Sequence, residues 1–380
     1  MTFAIDFVGT NLESGTKTYN INFCNELNLI NHNEKIVIFI CKNYLQQIES
    51  LSKKNSNIIY IIKPNFFSFV FFRLIWMQLI LPFELKLMGI KKLYSPMNIC
   101  PIILKFINIK VILGLHSNLP WVFQHLMPGS NFRNLLTKKL MELSIENCEI
   151  LLVNSNFAKE QIAEILKLNK EKIRVIYLGV DKKYYSLENS KNYIENFNYK
   201  EKYIFSVLSC VKYHNILNLL KAYKILIKEI NFNIKFFLVL QILDKKYYSE
   251  IDNYIKKNFI KGDVIIKQNL QSKYLINLYK SSQLYIFSSY SEVFGLTSLE
   301  AMSQGCPVLI SKTSALPEIN DVAADYFDPD DIVEIKNKIF QILIDENYKS
   351  NLIKNGEEHF KKFTWKNNVS KTLEVIENLK

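Results

Sequence analysis

The sequence predicts an α/β fold made of two doubly wound domains facing each other. Three observations carry that prediction: short apolar runs alternate with helix-forming segments, the alternation is interrupted once, and it then restarts. At 380 residues the chain exceeds one ordinary core and suits two. Hydrophobic residues at 49% against 22% charged describe a folded chain rather than a disordered one.

Phe3 to Val8 reads as a strand interrupted by Asp6, followed by a loop over 9–18 and a helical run through Ile21, Cys24, Leu27 and Ile30. A strand, a glycine-containing loop and a helix can approach a phosphate. Gly9 and Gly15 lack the GxGxxG spacing, so pattern alone gives a plain connection. Lys35 to Ile40 and Ile58 to Ile62 read as further buried strands. Phe66 to Phe83 is the most hydrophobic stretch and about the length that spans a bilayer. Arg73 near its middle, Gln78 and Pro82 favour instead a buried or groove-lining helix, with a peripheral membrane contact as the second reading. Val111 to Leu115 is a strand, and His116 follows it directly, with Ser117, Asn118 and Pro120 marking a turn. Ligands collect at strand ends, so His116 is a candidate site residue beside its ordinary reading as a satisfied side chain. Glu149 to Val153 is the next strand; Ser155 or Asn156 then caps a helix with apolar face Phe157, Ile162, Ile165 and Leu166. Lys172 to Tyr177 closes this half.

After Asp181 a polar, tyrosine-rich segment over 182–202 has no sustained period and marks the linker. Strands Tyr203 to Leu208, Ile234 to Leu240 and Asp263 to Ile266 then alternate with helices Ile216 to Ile230, Tyr247 to Lys257 and Ser272 to Lys280. Leu284 to Phe287 is a buried strand, followed by a polar loop from Ser288 to Ser291 and by Glu292 and Gly295. A helix ending at Gly305 and Pro307 and a strand from Val308 to Ile310 complete the unit. The loop carrying Glu292 and Gly295 thus falls at a strand's carboxyl end, where α/β sheets bind ligands.

A formal net charge of +12 favours contact with anions: nucleic acid, an anionic membrane surface or a phosphate-bearing substrate. The lysines are scattered and no basic-aromatic module is present, so nucleic acid is not expected as a partner. The six cysteines have no paired short spacing, which points to neither a metal nor a disulfide framework. The N-terminus opens on a strand-like run with no secretory signal, and a reducing cytoplasm is expected.

EVFGLTSLEAMSQGCPVLIS, followed by LPEI, resembles the donor-site signature of the retaining nucleotide-sugar glycosyltransferases of family 4, which have the GT-B fold. Its parts are a Glu, seven residues, a second Glu, with FGL inside and EAM at the end. VNSNFAKEQI leading to VIYLGVD, LGLHSNLP, and the final HFKKFTWKNNVSKTLEVIENL are similar to other segments of that family, so the resemblance covers nearly the whole chain. It implies a GT-B architecture of two Rossmann-like domains across a cleft: 1–182 for the acceptor, 183–360 for the nucleotide-sugar donor, and a terminal helix over 361–380 crossing back. Transfer of a hexose, with retention, to a hydroxyl of a glycan or lipid-linked saccharide would follow, in the cytoplasm or at the inner face of the membrane.

The resemblance also implies roles. Glu292 and His116 are the catalytic candidates, Glu292 beside the donor hexose and its developing positive charge. Glu300 would hold the ribose hydroxyls, since a carboxylate's two acceptor oxygens suit a vicinal diol. Thr297 to Glu300 also fits a capping box, the alternative reading of Glu300. Gly295 lets a sugar diphosphate come close to the amides of Phe294, Gly295 and Leu296 without a metal, with the loop around Gly15 assisting. The expected cofactor set is empty, the nucleotide sugar being a co-substrate. Family members carry an Arg and, five residues on, a Lys against the diphosphate; here Ser209 and His214 stand at those places. Lys212, helped by His214, is the expected substitute. If neither compensates, a non-catalytic binding or scaffold subunit is the alternative.

Overall fold

The structure, a computed structural model, describes residues 2–8, 15–32, 34–45, 47–48, 55–127, 129–185, 201–229 and 232–379. The loop over 9–14 and linker positions 186–200, to which the sequence assigns a phosphate approach and the domain connection, lie outside them. Two compact units are present. Unit 1 is Met1–Trp121, Phe132–Gly179 and Thr364–Lys380; unit 2 is Val122–Asn131 and Val180–Phe363.

Unit 1 holds a seven-stranded sheet: β1 (Thr2–Phe7), β2 (Lys35–Cys41), β3 (Ile58–Lys63), β4 (Lys92–Ser95), β5 (Lys110–Leu115), β6 (Ile150–Val153) and β7 (Ile173–Val175). Their order is β3-β2-β1-β4-β5-β6-β7, and every pairing is parallel. Branched and aromatic residues fill β1, β2 and β5 on both faces, as strands covered from two sides require. β3 departs from its expected burial: it is the edge strand, and Ile59 and Ile62 are each 52% exposed. Position in the sheet decided this, and an apolar run does not encode its neighbours.

Phe66 to Phe83 also departs from the buried helix expected of it. It is broken into a 3-10 turn (Asn65–Ser68), a short α-helix (Val70–Ile75), a π-helical turn (Trp76–Ile80) and a second α-helix (Leu81–Leu87). Arg73, Trp76, Met77, Leu81 and Leu85 are buried, while Phe69, Phe71, Leu79 and Phe83 are exposed. The π turn itself buries Trp76 and Met77, and Leu81 and Leu85 continue the inward face in the helix after it. Among the described residues no helix is long and apolar enough to cross a membrane.

The terminal helix Trp365–Asn378 packs within unit 1 against the helix Gly15–Leu27. Lys92 Nζ donates to the carbonyls of Ile376 (2.8 Å) and Glu377 (3.2 Å), a cation at the negative end of a helix. Asn368 Nδ2 donates to the Tyr177 carbonyl at 2.8 Å. At Gly179 the backbone of Trp365 runs so close that a Cβ would stand 2.2 Å from its nitrogen.

Unit 2 holds a six-stranded parallel sheet in the order β10-β9-β8-β11-β12-β13. These strands are β8 (Tyr203–Cys210), β9 (Lys235–Ile242), β10 (Val264–Gln268), β11 (Leu284–Phe287), β12 (Val308–Ser311) and β13 (Asp325–Phe327). β11 sits beside β8 in the middle of the sheet, so the loop after β11 and the turn after β8 leave neighbouring strands at the same, carboxyl, end. Among the described residues all six cysteines are buried free thiols.

Candidate functional site

In unit 2 the site is built where β8 and β11 end. After β8 a 3-10 turn, Lys212–His214, brings His214 back under its own strand: Nδ1 lies 2.7 Å from the Ser209 carbonyl oxygen. A carbonyl only accepts, so Nδ1 carries the proton of this contact. Nε2 then faces Glu292 Oε1 at 3.4 Å. It has a proton to offer only as imidazolium, and the His214 and Glu292 pair is attractive in that charged form.

The loop that presents Glu292 is tied on both sides. Ser288 Oγ donates to the His214 carbonyl (2.7 Å), and Tyr290 N donates to the Tyr213 carbonyl (2.8 Å). On the other side Thr313 Oγ1 and Ser311 Oγ both donate to the Ser289 carbonyl. Glu292 N donates to Ser314 Oγ at 2.9 Å, and the Glu292 carbonyl accepts from Ala315 N at 3.2 Å. The carboxylate is thus held by its backbone on both sides while its side chain stays partly open to solvent.

Gly295 caps the helix Leu296–Met302 with φ +86°, in the left-handed region that glycine alone enters without strain. A Cβ there would also stand 2.5 Å from Leu316 Cδ2. FGL and LPEI, separate motifs in sequence, are therefore packed together. Ser298 Oγ lies 2.7 Å from the Gly295 carbonyl oxygen and 2.6 Å from Asn320 Oδ1, its one proton serving either acceptor, and so ties the helix start to Asn320. Phe294 is buried against Phe363, ring centroids 5.7 Å apart, and Leu296 is half-buried beside the first amides of the helix. Leu299, Met302 and Cys306 are core.

Glu300 is buried and does not cap the helix, whose cap is Gly295, so the capping-box alternative is set aside. Its carboxylate accepts from Tyr279 Oη at 3.4 Å and from the Tyr184 hydroxyl. Burial pushes its pKa up from 4.5 to about 7, with Lys183 and the two tyrosines opposing and Asp181 reinforcing. Tyr184, Tyr279, Lys183 and Asp181 are the residues that sequence reasoning missed. Asp181 to Tyr184 looked like the start of a linker, yet Asp181 caps a 3-10 turn that buries Tyr184 against Tyr279.

Lys212 and His214 have different partners in the structure. Lys212 Nζ turns to Glu250 Oε1, 3.9 Å away on the helix after β9, whereas His214 joins Glu292. Ser209 Oγ is occupied with Gln241 Oε1 at 3.4 Å. Among the described residues no three His, Cys, Asp or Glu side chains are gathered as a metal ion needs.

In unit 1 His116 leaves β5 with its amide donating to Asn98 Oδ1 (2.6 Å). Asn154 Nδ2 donates to Nδ1 at 3.0 Å, which places the ring proton on Nε2. The ring lies 4.6 Å from that of Tyr19. Burial lowers the imidazole pKa to about 4, the Asn154 bond opposing, so His116 is neutral at pH 7 and suited to donate a hydrogen bond rather than to accept a proton. Gly114 allows this fold-back: a Cβ there would meet His116 Nε2 at 3.3 Å and Pro96 Cα at 2.9 Å. Gly15 is exposed at the start of its helix, and a Cβ there would meet nothing within 4 Å, so no contact demands a glycine.

Comparison with known proteins adds two family matches. Residues 188–359 match the glycosyl transferases group 1, and residues 18–184 match glycosyltransferase family 4. Among curated relatives, the serotype-specific mannosyltransferase WbdA of Escherichia coli is 24% identical over 275 residues, 71% of this chain and 34% of WbdA. The O-antigen chain mannosyltransferase RfbU of Salmonella typhimurium is 24% identical over 240 residues, 60% of this chain and 64% of RfbU. The chain thus spans about a third of the first of these and under two thirds of the second. Among solved structures, Anabaena HepE in complex with UDP and glucose has a TM-score of 0.75 at 16% identity, covering 100% of both chains. That likeness shows the GT-B fold.

Proposed function

The chain belongs to the GT-B glycosyltransferases of group 1 and family 4, and on that footing we propose that it moves a hexose from a nucleotide-diphosphate sugar to a hydroxyl of a glycan or lipid-linked saccharide. The observation that carries this reading is Glu300: a buried carboxylate, costly to ionise, ringed by hydroxyl donors and free of any capping duty. Such a group fits a ribose diol. Glu292 then lies beside the hexose, where its charge steadies the positive charge that develops at the anomeric carbon as the leaving group departs. The amides at Phe294 to Leu296 face the diphosphate, with His214 standing in place of the family's Lys. No metal has a part in this scheme. His116, neutral, has Nδ1 on Asn154 and a buried Nε2 turned to Pro96, and so acts by holding the end of β5 in shape.

Transfer proceeds with retention, a reading supported by the paired-Glu signature. WbdA and RfbU are mannosyltransferases, which makes mannose the first hexose to test. The place of work is the cytoplasm, at the inner face of the membrane when the acceptor is lipid-linked. Incubation with a panel of nucleotide sugars and acceptor extracts should release nucleoside diphosphate from one donor, and the product's anomeric configuration, read by NMR coupling, should match that donor's. No release from any donor would overturn the reading, and an inverted product would overturn retention. A non-catalytic binding subunit is the second reading, favoured by one observation: Ser209, bonded to Gln241, stands where the family carries a cation.

A further inference from the structure

The stretch 65–88 of unit 1 turns Arg73, Gln78 and Glu84 inward beside Trp76, Met77, Leu81 and Leu85, and leaves a second, apolar face turned outward. Arg73 is buried with Nη2 3.9 Å from Asp6 Oδ2 under β1. Gln78 is spent on the backbone of the next segment, donating to the Cys100 carbonyl (3.0 Å) and accepting from Ile102 N (2.9 Å). Glu84 pairs with Lys63 and accepts from Trp76 Nε1 at 3.3 Å. What faces outward is Phe69 (66% exposed), Phe71, Leu79, Phe83 (71%) and Leu87 (87%). The Gln78 bonds join this stretch to the 3-10 turn Ile102–Ile107, where Phe106 is 80% exposed.

A helix exposed to water places its charges outward and its phenylalanines inward; the reverse arrangement belongs to a surface that does not face water. The charge pattern selects the occupant. Between Asn65 and Met141 Glu84 is the sole acidic residue, against nine Lys and Arg. Of these cations Lys86, Lys91 and Lys105 are exposed on or beside the apolar face. A second copy of the chain would bring like charges together, whereas a bilayer with anionic headgroups meets both features, phenylalanines at the acyl boundary and lysines at the phosphates. We propose that this face of unit 1 docks on an anionic lipid surface, without crossing it. The inference deepens the membrane placement given above but needs neither donor nor acceptor, so it stands or falls apart from sugar transfer.

The test is co-sedimentation of the full chain, without nucleotide, on vesicles of phosphatidylcholine alone and of phosphatidylcholine mixed equally with phosphatidylglycerol. Partition onto the mixed vesicles should be at least about tenfold the stronger and should weaken with salt. Phe69→Ser combined with Phe83→Ser should lose about tenfold or more on mixed vesicles, and Lys86→Glu with Lys105→Glu should abolish the preference for the anionic lipid. All four side chains point outward, so thermal unfolding of the variants should match the parent and separates lost docking from lost folding. Equal binding to both vesicles, binding to neither, or a concentration-dependent dimer that the same phenylalanine variants break would overturn the proposal.

Discussion

Replacing Glu300 with Gln should raise the stability of unit 2 at and above neutral pH while removing nucleotide binding. The carboxyl is buried and its pKa stands at about 7 against an ordinary 4.5. The folded chain therefore holds this proton more tightly than the unfolded chain. Stability falls as pH rises from the unfolded value towards and past the folded one, and the loss levels off above about pH 8. At about 1.4 kcal/mol for each pH unit between 4.5 and about 7, the ionised form gives up roughly 3 kcal/mol. For a unit of this size that is about 6–12 °C in Tm. Gln keeps the shape, removes the charge and with it the slope. Urea unfolding between about pH 5 and pH 8 should show the parent losing stability relative to Glu300→Gln across that window. Binding runs the other way. Ribose hydroxyls donate to the ionised carboxylate, so the parent should bind nucleoside diphosphate more tightly as pH rises through about 7, and Glu300→Gln should bind it at least about tenfold more weakly at about pH 8, with the two converging as pH falls towards about 5. Parallel stability curves, or undiminished nucleotide binding by the variant, would refute the reasoning.

Three further outcomes are expected. Glu292→Ala should leave thermal unfolding within about 0.5 kcal/mol of the parent, since the loop is held through its backbone, and should reduce transfer by about a hundredfold or more in a donor-turnover assay. His214→Lys should supply a permanent cation beside Glu292 and tighten nucleoside diphosphate binding at pH 8 several-fold, whereas Lys212→Ala, whose charge is directed to Glu250, should change it little; calorimetry reads both. Gly295→Ala combines a left-handed backbone with a Cβ pressed on Leu316, and should cost at least about 2 kcal/mol together with nucleotide binding, by thermal shift with and without ligand.

Much of the donor half was legible because its signals are local. Leu284 to Phe287 and the turn at Gly295 are each set by a few neighbouring residues, as is the Ser155 cap in the other half, and they stand where the pattern puts them. The surroundings of Glu300 were not legible: Tyr184 lies over a hundred residues away, in a segment whose polarity resembles a linker. The same limit explains Phe66 to Phe83, where hydrophobicity told of an apolar face but not which way Arg73, Gln78 and Glu84 would turn. Periodicity ranks residues by character, and direction comes from partners distant in sequence. His214 is the intermediate case: its place opposite the family's Lys was visible, its bond to Ser209 and its approach to Glu292 were not.

The docking of Trp365–Asn378 within unit 1 has a bearing on how the chain is made. Unit 1 is completed by a helix that follows all of unit 2 in sequence, docked through Lys92, Asn368 and the close passage at Gly179. Unit 2 is contiguous apart from one short segment, and can close while unit 1 still waits for its final piece. During synthesis the aromatic cluster of Tyr19, whose ring lies 5.4 Å from that of Trp365, is therefore uncovered longest, and a chain halted before Thr364 would expose it as a target for quality control.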